Sequence, residues 1–183
     1  LIKAVEQSSN EVLISGVGAE VAQFAFQFSL AIGAPTWITS SKENVLQKCK
    51  ELGAKKGVSY KNPEEIKSLS KSMQGFDVII DSAGGNGLNT LMESFAPGGK
   101  LIIYGATMGL SNTLNLRNIF ANQLSLIGNT MGSDQDIKKM LEFVSEHKIQ
   151  PIIDKAYSLN NAEEAFNRKK LEQHFGKIII QIG

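Results

Sequence analysis

The chain is poor in the residues that usually mark metal sites and disulfide scaffolds. Its 183 residues hold one cysteine, two histidines, one tryptophan and four prolines. A single cysteine, Cys49, excludes an internal disulfide and any multi-cysteine zinc site. It stands in Lys48-Cys49-Lys50, where flanking cations favour a lowered pKa; the plainer expectation is an ordinary helix residue. His147 and His174 fall near expected helix ends with no partner ligand close by in sequence, so both read as surface residues. The net charge of +1 gives no bulk argument for nucleic acid or an anionic membrane as partner. No apolar run approaches the ~20 residues that span a bilayer. No secretory signal is visible, so a cytoplasmic location is the default expectation. The chain opens on Leu1 rather than Met, which suggests a domain taken from a longer protein.

What is present is ordinary globular composition, 42% hydrophobic and 20% charged. A domain of ~150 residues hides roughly 70% of its unfolded surface, enough for a full core. Residues 11–15 form a short apolar run that meets Gly16-Val17-Gly18, as a buried strand meets a tight turn. Val21, Phe24, Ala25, Phe28 and Ile32 then recur at helical spacing until Gly33. Thr36-Trp37-Ile38-Thr39 predicts strand two. Ser40-Ser41 is the expected cap of a helix running to Leu52. Residues 56–59 predict strand three, and Pro63 opens another helix. Residues 76–81 are the clearest buried strand, followed by Ser82-Ala83-Gly84-Gly85 and a helix over 88–95. Pro97-Gly98-Gly99 turns the chain into strand five over 100–104. A helix over 116–122, a strand over 124–128 and a helix capped by Asp134 and ending near His147 complete the series.

Six strands alternating with helices predict a doubly wound, Rossmann-like α/β fold with a parallel sheet covered on both faces. Domain boundaries are expected at 1–150 and 151–183. After Pro151 the pattern changes to a strand over 152–159, a helix over 161–171 and a strand over 177–182. This strand–helix–strand segment adds to a sheet that is already complete.

In such a fold ligands lie outside the carboxyl ends of the strands, where the strand order reverses. The first turn there, Ser15-Gly16-Val17-Gly18-Ala19-Glu20-Val21-Ala22, is an imperfect GxGxxG with Val21 in place of the third glycine. Its free N–H groups and the positive end of the following helix suit a pyrophosphate. Glycine-rich turns also serve purely structural ends. Glu20 is an awkward neighbour for phosphate because like charges repel. The expectation is that it points to solvent while the ligand meets main chain. At the end of strand two an acid would hold a ribose 2′-hydroxyl. Ser40-Ser41-Lys42 offers donors instead, and no acid stands before Glu43. That end favours a 2′-phosphate, hence NADP(H) over NAD(H).

Several short motifs in order resemble the medium-chain dehydrogenase/reductases. They are Val12-Leu13-Ile14-Ser15-Gly16-Val17-Gly18, Phe26-Gln27-Phe28, Ile32-Gly33-Ala34, Thr39-Ser40-Ser41-Lys42, Leu52-Gly53-Ala54, Phe76-Asp77-Val78-Ile79-Ile80-Asp81 and Pro97-Gly98-Gly99-Lys100. The quinone-oxidoreductase-like and zinc-type alcohol-dehydrogenase-like branch is the most similar. Aligned back from Gly33-Ala34, that family's usual glycines fall on Val17, Ala19 and Ala22, so the turn departs from the pattern.

The resemblance implies a hydride-transferring oxidoreductase acting on a quinone, activated alkene, carbonyl or alcohol. It implies cofactor contacts at Gly16, Gly18, Ala19, Glu20, Val21, Ser40, Ser41 and Lys42. Tyr60 would pack near the 2′-phosphate, or be merely structural. Ser82 and Ala83 would border the nicotinamide ribose. Tyr104, Gly105 and Ala106 would meet the nicotinamide. Thr130 and Met131 would line the same end, with simple packing the alternative for Met131. Lys177 would reach the cofactor phosphates. In this family the catalytic domain comes first, so any zinc of the intact protein would sit in a domain upstream of this chain, and no catalytic residue is assigned within it. The chain alone is expected to be inactive, with 151–183 returning to that domain. A homodimer through the edge strand 124–128 is expected. Two rival readings remain. One is an S-adenosylmethionine-dependent methyltransferase, which shares the opening motif. The other is a non-catalytic dimerising remnant.

Overall fold

The computed structural model describes residues 10–110, 113–171 and 174–183; the opening Leu1 lies outside them. Six strands form one parallel sheet in the order β3-β2-β1-β4-β5-β6. They are β1 (Val12–Ile14), β2 (Thr36–Thr39), β3 (Lys56–Val58), β4 (Phe76–Asp81), β5 (Phe95–Ile103) and β6 (Ser125–Gly128). Parallel neighbours need crossovers, and helices supply them. These are α1 (Glu20–Ala31), α2 (Glu43–Glu51), α3 (Pro63–Ser72), α4 (Gly87–Met92), α5 (Leu116–Ala121) and α6 (Asp134–Glu146). The order reverses between β1 and β4, both flanked by α-helical crossovers.

The central strands are covered on both faces, so they read as continuous apolar runs. Val12, Leu13 and Ile14 are all fully buried. Ile14 and Ile80 join Ala22, Phe26, Val45 and Cys49 in the core on the side of α1 and α2. Leu13 and Ile79 pack with Ile66, Leu69, Leu88 and Leu91 on the side of α3 and α4. Phe28 of α1 meets Phe143 of α6 edge-on at 5.4 Å, which attaches α6 to the first face.

The remaining elements are β7 (Ile153–Ser158), a 3-10 turn at Leu159–Asn161, α7 (Ala162–Lys170) and β8 (Lys177–Gln181). β7 and β8 pair parallel as a separate two-stranded sheet rather than extending the large one. Phe175 and Ile152 insert into the core beside α1 and α2, so the segment is docked on the main domain. Asp154 accepts from Arg168 (Nη2 to Oδ1, 2.9 Å) and from the Phe175 N–H at 3.2 Å. One nearly buried carboxylate thus ties β7, α7 and the approach to β8 together.

Several boundaries differ from the sequence expectations, each for a local reason. Phe95 belongs to β5, not to α4: it pairs with Phe76, and the next pairing is Val78 with Lys100. Residues 96–99 are therefore a bulge within one strand, with Gly98 in the left-handed region at φ +80°. Ser133, not Asp134, caps α6: its hydroxyl accepts the Asp136 N–H and Asp136 accepts the Ser133 N–H in return. Ser40-Ser41 does not cap α2 either. The N-cap position is Lys42, which has no side-chain acceptor, while the Ser40 hydroxyl accepts the Lys42 N–H at 3.2 Å. On α1 the core face is Ala22, Ala25, Phe26 and Ser29, and Val21 turns outward, 48% exposed.

Candidate active site

The strand order brings most of the expected cofactor residues to one edge of the sheet. Gly16, Gly18 and Ala19 follow β1, with Glu20 and Val21 in the first turn of α1. Ser40, Ser41 and Lys42 follow β2, and Tyr60 follows β3. Ser82 and Ala83 follow β4; Tyr104, Gly105 and Ala106 follow β5; Thr130 and Met131 follow β6. Lys177 arrives separately, at the start of β8.

The turn after β1 is built from its own main chain. Gly16 adopts φ +66°, a conformation that L side chains rarely take. Its N–H donates to the Thr39 hydroxyl at 3.0 Å, and the Val17 N–H donates to the Thr39 carbonyl at 2.9 Å. The Ala19 N–H closes back on the Gly16 carbonyl at 3.0 Å. Helix α1 then begins at Glu20 with Ala19 as N-cap and no side-chain cap. The first-turn donors of an α-helix have no intrahelical acceptor. A Cβ at Gly18 would meet nothing within 4 Å, so the turn is open at that position.

Glu20 does not simply face solvent. Its carboxylate accepts from the Lys177 ammonium. That hydrogen bond holds Glu20 below the usual carboxylate range, with partial burial opposing and the Lys177, Lys169 and His174 charges adding. Lys177 is thus engaged at the turn through Glu20. His174 is half-buried with Nδ1 lacking a hydrogen-bond partner, so it is not the plain surface residue expected. His147 is exposed and stacks on Phe143 at 4.1 Å.

Beyond the turn, the loops after β4 and β5 are zipped together. Thr107 N–H donates to Ser82 O at 3.0 Å, Met108 N–H to Ala83 O at 2.8 Å, and Gly85 N–H to Gly109 O at 2.9 Å. A Cβ on Gly105 would lie 3.0 Å from the Ser82 carbonyl, so that approach suits glycine. Asp81, 1% exposed, accepts the Gly84 N–H at 2.8 Å through Oδ2. Among the described residues its Oδ1 is buried without a hydrogen-bond partner, and the Tyr104 hydroxyl is buried beside that of Ser82. Burial raises the Tyr104 phenol, the Asp81 charge pushes the same way, and the Ser82 hydroxyl opposes. An orphan carboxylate oxygen at the carboxyl end of the central strands suits a ligand bearing hydroxyl or amide groups.

At the outer end, Ser40 is 3% exposed and its N–H donates to Val58 O at 3.2 Å. Ser41 and Lys42 are half-buried beside the uncapped first turn of α2. Tyr60 is 45% exposed and Met131 is 93% exposed, with φ +50°. Met131 therefore packs into no core. Cys49 is fully buried, and burial pushes its thiol up to about 12. The flanking lysines do not lower it, because the sulfur points inward from α2.

Thr39 and Asp81 are the site residues that sequence reasoning missed. Thr39 was legible only as a strand residue, since its role needs the spatial neighbour Gly16. Asp81 carried a signal: a carboxylate closing an otherwise apolar buried strand needs a reason. Among the described residues no three His, Cys, Asp or Glu groups assemble into a metal site. The donor set therefore does not suit a bound zinc. The glycine turn, the uncapped α1 and the orphan Asp81 oxygen do suit a dinucleotide.

Comparison with known proteins agrees with this geometry. The family of zinc-binding dehydrogenases matches residues 21–146. A zinc-type alcohol dehydrogenase-like protein, YogA, of Leptosphaeria maculans is 31% identical over 181 residues, covering 93% of this chain and 50% of that protein. The chain spans about half the length of the curated relatives it matches. The crystal structure of an NAD-dependent alcohol dehydrogenase superposes with a TM-score of 0.83 at 30% identity, over 99% of this chain and 53% of that one. A quinone oxidoreductase of Thermus thermophilus, solved also with NADPH, shares the fold at TM-score 0.82 and 19% identity, over 98% of this chain and 60% of that one. The chain belongs to the zinc-binding dehydrogenase family of the medium-chain dehydrogenase/reductases, as their nucleotide-binding part.

Proposed function

We propose that this chain holds NADP(H), in preference to NAD(H), for hydride transfer to or from a quinone, activated alkene, carbonyl or alcohol. The observation that carries the reading is the uncapped first turn of α1 beside Gly16, at the point where the strand order reverses. The pyrophosphate would lie against Gly18, Ala19, Glu20 and Val21, on main-chain N–H groups. The 2′-phosphate would meet Ser41 and Lys42, with Ser40 behind them and Tyr60 alongside. The uncapped first turn of α2 adds donors there, and no acid precedes Glu43. The nicotinamide end would rest on Ser82, Ala83, Tyr104, Gly105 and Ala106, with Thr130 and Met131 at its border. When bound, the nicotinamide supplies the hydride chemistry; the chain's own residues bind and orient it.

Residues 1–150 would act as the dinucleotide-binding unit, and 151–183 as a docked segment that also meets a separate catalytic domain. Among the described residues no His, Cys, Asp or Glu cluster could hold a metal, and the chain spans half of its relative's length, so the chain alone is expected to bind cofactor without turnover. Titration of NADPH and NADH, followed by calorimetry, tests the reading. Binding of NADPH at least several-fold tighter than NADH is expected. No binding of either by folded protein overturns it, and binding of S-adenosylmethionine instead would revive the methyltransferase reading.

A homodimer is proposed through β6. All four of its residues are exposed, and among the described residues its outer edge is unpaired in the sheet order. Leu126 and Ile127 present apolar side chains there. An exposed parallel edge of this kind invites pairing. Light scattering should give twice the chain mass, and Ile127→Lys should return the monomer. No described helix is long and apolar enough to cross a membrane.

A further inference from the structure

The Glu20–Lys177 pair joins the first residue of α1 to the first residue of β8, 157 positions apart. Both side chains remain partly open, at 44% and 38% exposure. A carboxylate in the first turn of a helix is favourable by itself. Here it stands where an incoming anion must approach. Left uncompensated, it would repel a pyrophosphate over the same few ångströms that the turn uses to bind one. Lys177 answers that charge directly, and Lys169 and His174 add smaller effects of the same sign.

We infer, on the reading that this turn takes a dinucleotide pyrophosphate, that Lys177 is a positioning residue whose contribution to cofactor affinity passes through Glu20. It cancels the Glu20 charge and holds that carboxylate toward β8. The phosphates then meet main-chain N–H groups, and Lys177 makes no phosphate contact of its own. The C-terminal segment thereby completes the electrostatics of a site built by the other end of the fold.

A charge cycle tests this. Wild-type, Lys177→Met, Glu20→Gln and the double variant are titrated with NADPH, with thermal midpoints as the control for folding. A free unit charge ~6 Å from a doubly charged pyrophosphate in a water-like dielectric weakens binding about tenfold. Lys177→Met should show that loss, and the loss should shrink at ~1 M salt, where the screening length is ~3 Å. Glu20→Gln should bind as well as wild type or better. The double variant should return to within about twofold of wild type. A double variant as weak as Lys177→Met means direct contact with phosphate and overturns the inference. So does a Lys177→Met protein with unchanged affinity, or a loss that persists unaltered at high salt. Wild-type protein that binds neither NADPH nor NADH overturns the reading of the turn itself, and this inference with it.

Discussion

Thr39, fully buried at the end of β2, holds Gly16 of the neighbouring turn through two bonds of different kinds. Its hydroxyl accepts the Gly16 N–H at 3.0 Å and its carbonyl accepts the next N–H, from Val17, at 2.9 Å. Replacing Thr39 by Val removes the first and keeps the second. The Gly16 N–H is then buried without an acceptor, at a cost of ~1–3 kcal/mol. Urea unfolding should show that loss, and NADPH affinity should fall with it. A Thr39→Val protein with the wild-type midpoint would mean that the turn holds its shape without β2.

Gly16 and Gly18 should respond differently to the same change. Gly16 sits at φ +66°, so Gly16→Ala should cost ~1–2 kcal/mol of stability from backbone strain. Gly18 has no such φ, and a Cβ there has nothing within 4 Å. Gly18→Ala should leave the melting temperature within a degree or so while weakening NADPH binding, because the added methyl occupies the space proposed for phosphate. Equal affinity of Gly18→Ala and wild type would move the ligand away from this turn.

Cys49 should be chemically silent in the folded protein. Its thiol is fully buried and pushed up to about 12, so almost no thiolate exists at neutral pH. Labelling by a disulfide reagent should run only at the rate of opening of α2, and reach the rate of free cysteine in denaturant. Rapid labelling of native protein would contradict the packing described for α2.

The C-terminal segment should be the acid-sensitive part of the molecule. The Arg168 guanidinium holds the Asp154 carboxyl below its ordinary value of 3.8, with burial opposing. A depressed carboxyl contributes stability that is fully present above the unfolded value and is lost as pH falls through the folded one. Protection of the β7 and β8 amides, relative to the intrinsic exchange rate at each pH, should therefore fall first as pH drops below about 4. Asp154→Asn should weaken the segment by ~2 kcal/mol at neutral pH and flatten that acid dependence, since hydrogen bonds to charged groups carry ~1.5–3 kcal/mol.

The fold was legible where β-prone residues stood between clear turn signals. Phe76–Asp81 and Thr36–Thr39 show the same bounds in sequence and structure, because β-branched and aromatic residues between turn signals leave little choice. Legibility failed where two local solutions competed. Ser133 and Asp134 are both good caps, and reciprocity with Asp136 selects the first. Phe95 has a helix on one side and a proline–glycine turn on the other, and only its pairing with Phe76 draws it into β5. In the site, the loop residues follow from strand order alone. The links Thr39 to Gly16 and Lys177 to Glu20 do not, since they join residues 23 and 157 positions apart.

That second separation sets a schedule for folding. Helix α1 is translated 157 positions ahead of the cation that answers its first carboxylate, and the Phe175 ring that fills the core beside it follows almost as late. Contacts of such high sequence separation form late and slowly. On the ribosome the nascent sheet would pass through a period with a solvent-filled notch over α1 and an unanswered negative charge at its tip. Chaperone capture of the nascent chain should concentrate in that interval and cease once β8 has docked.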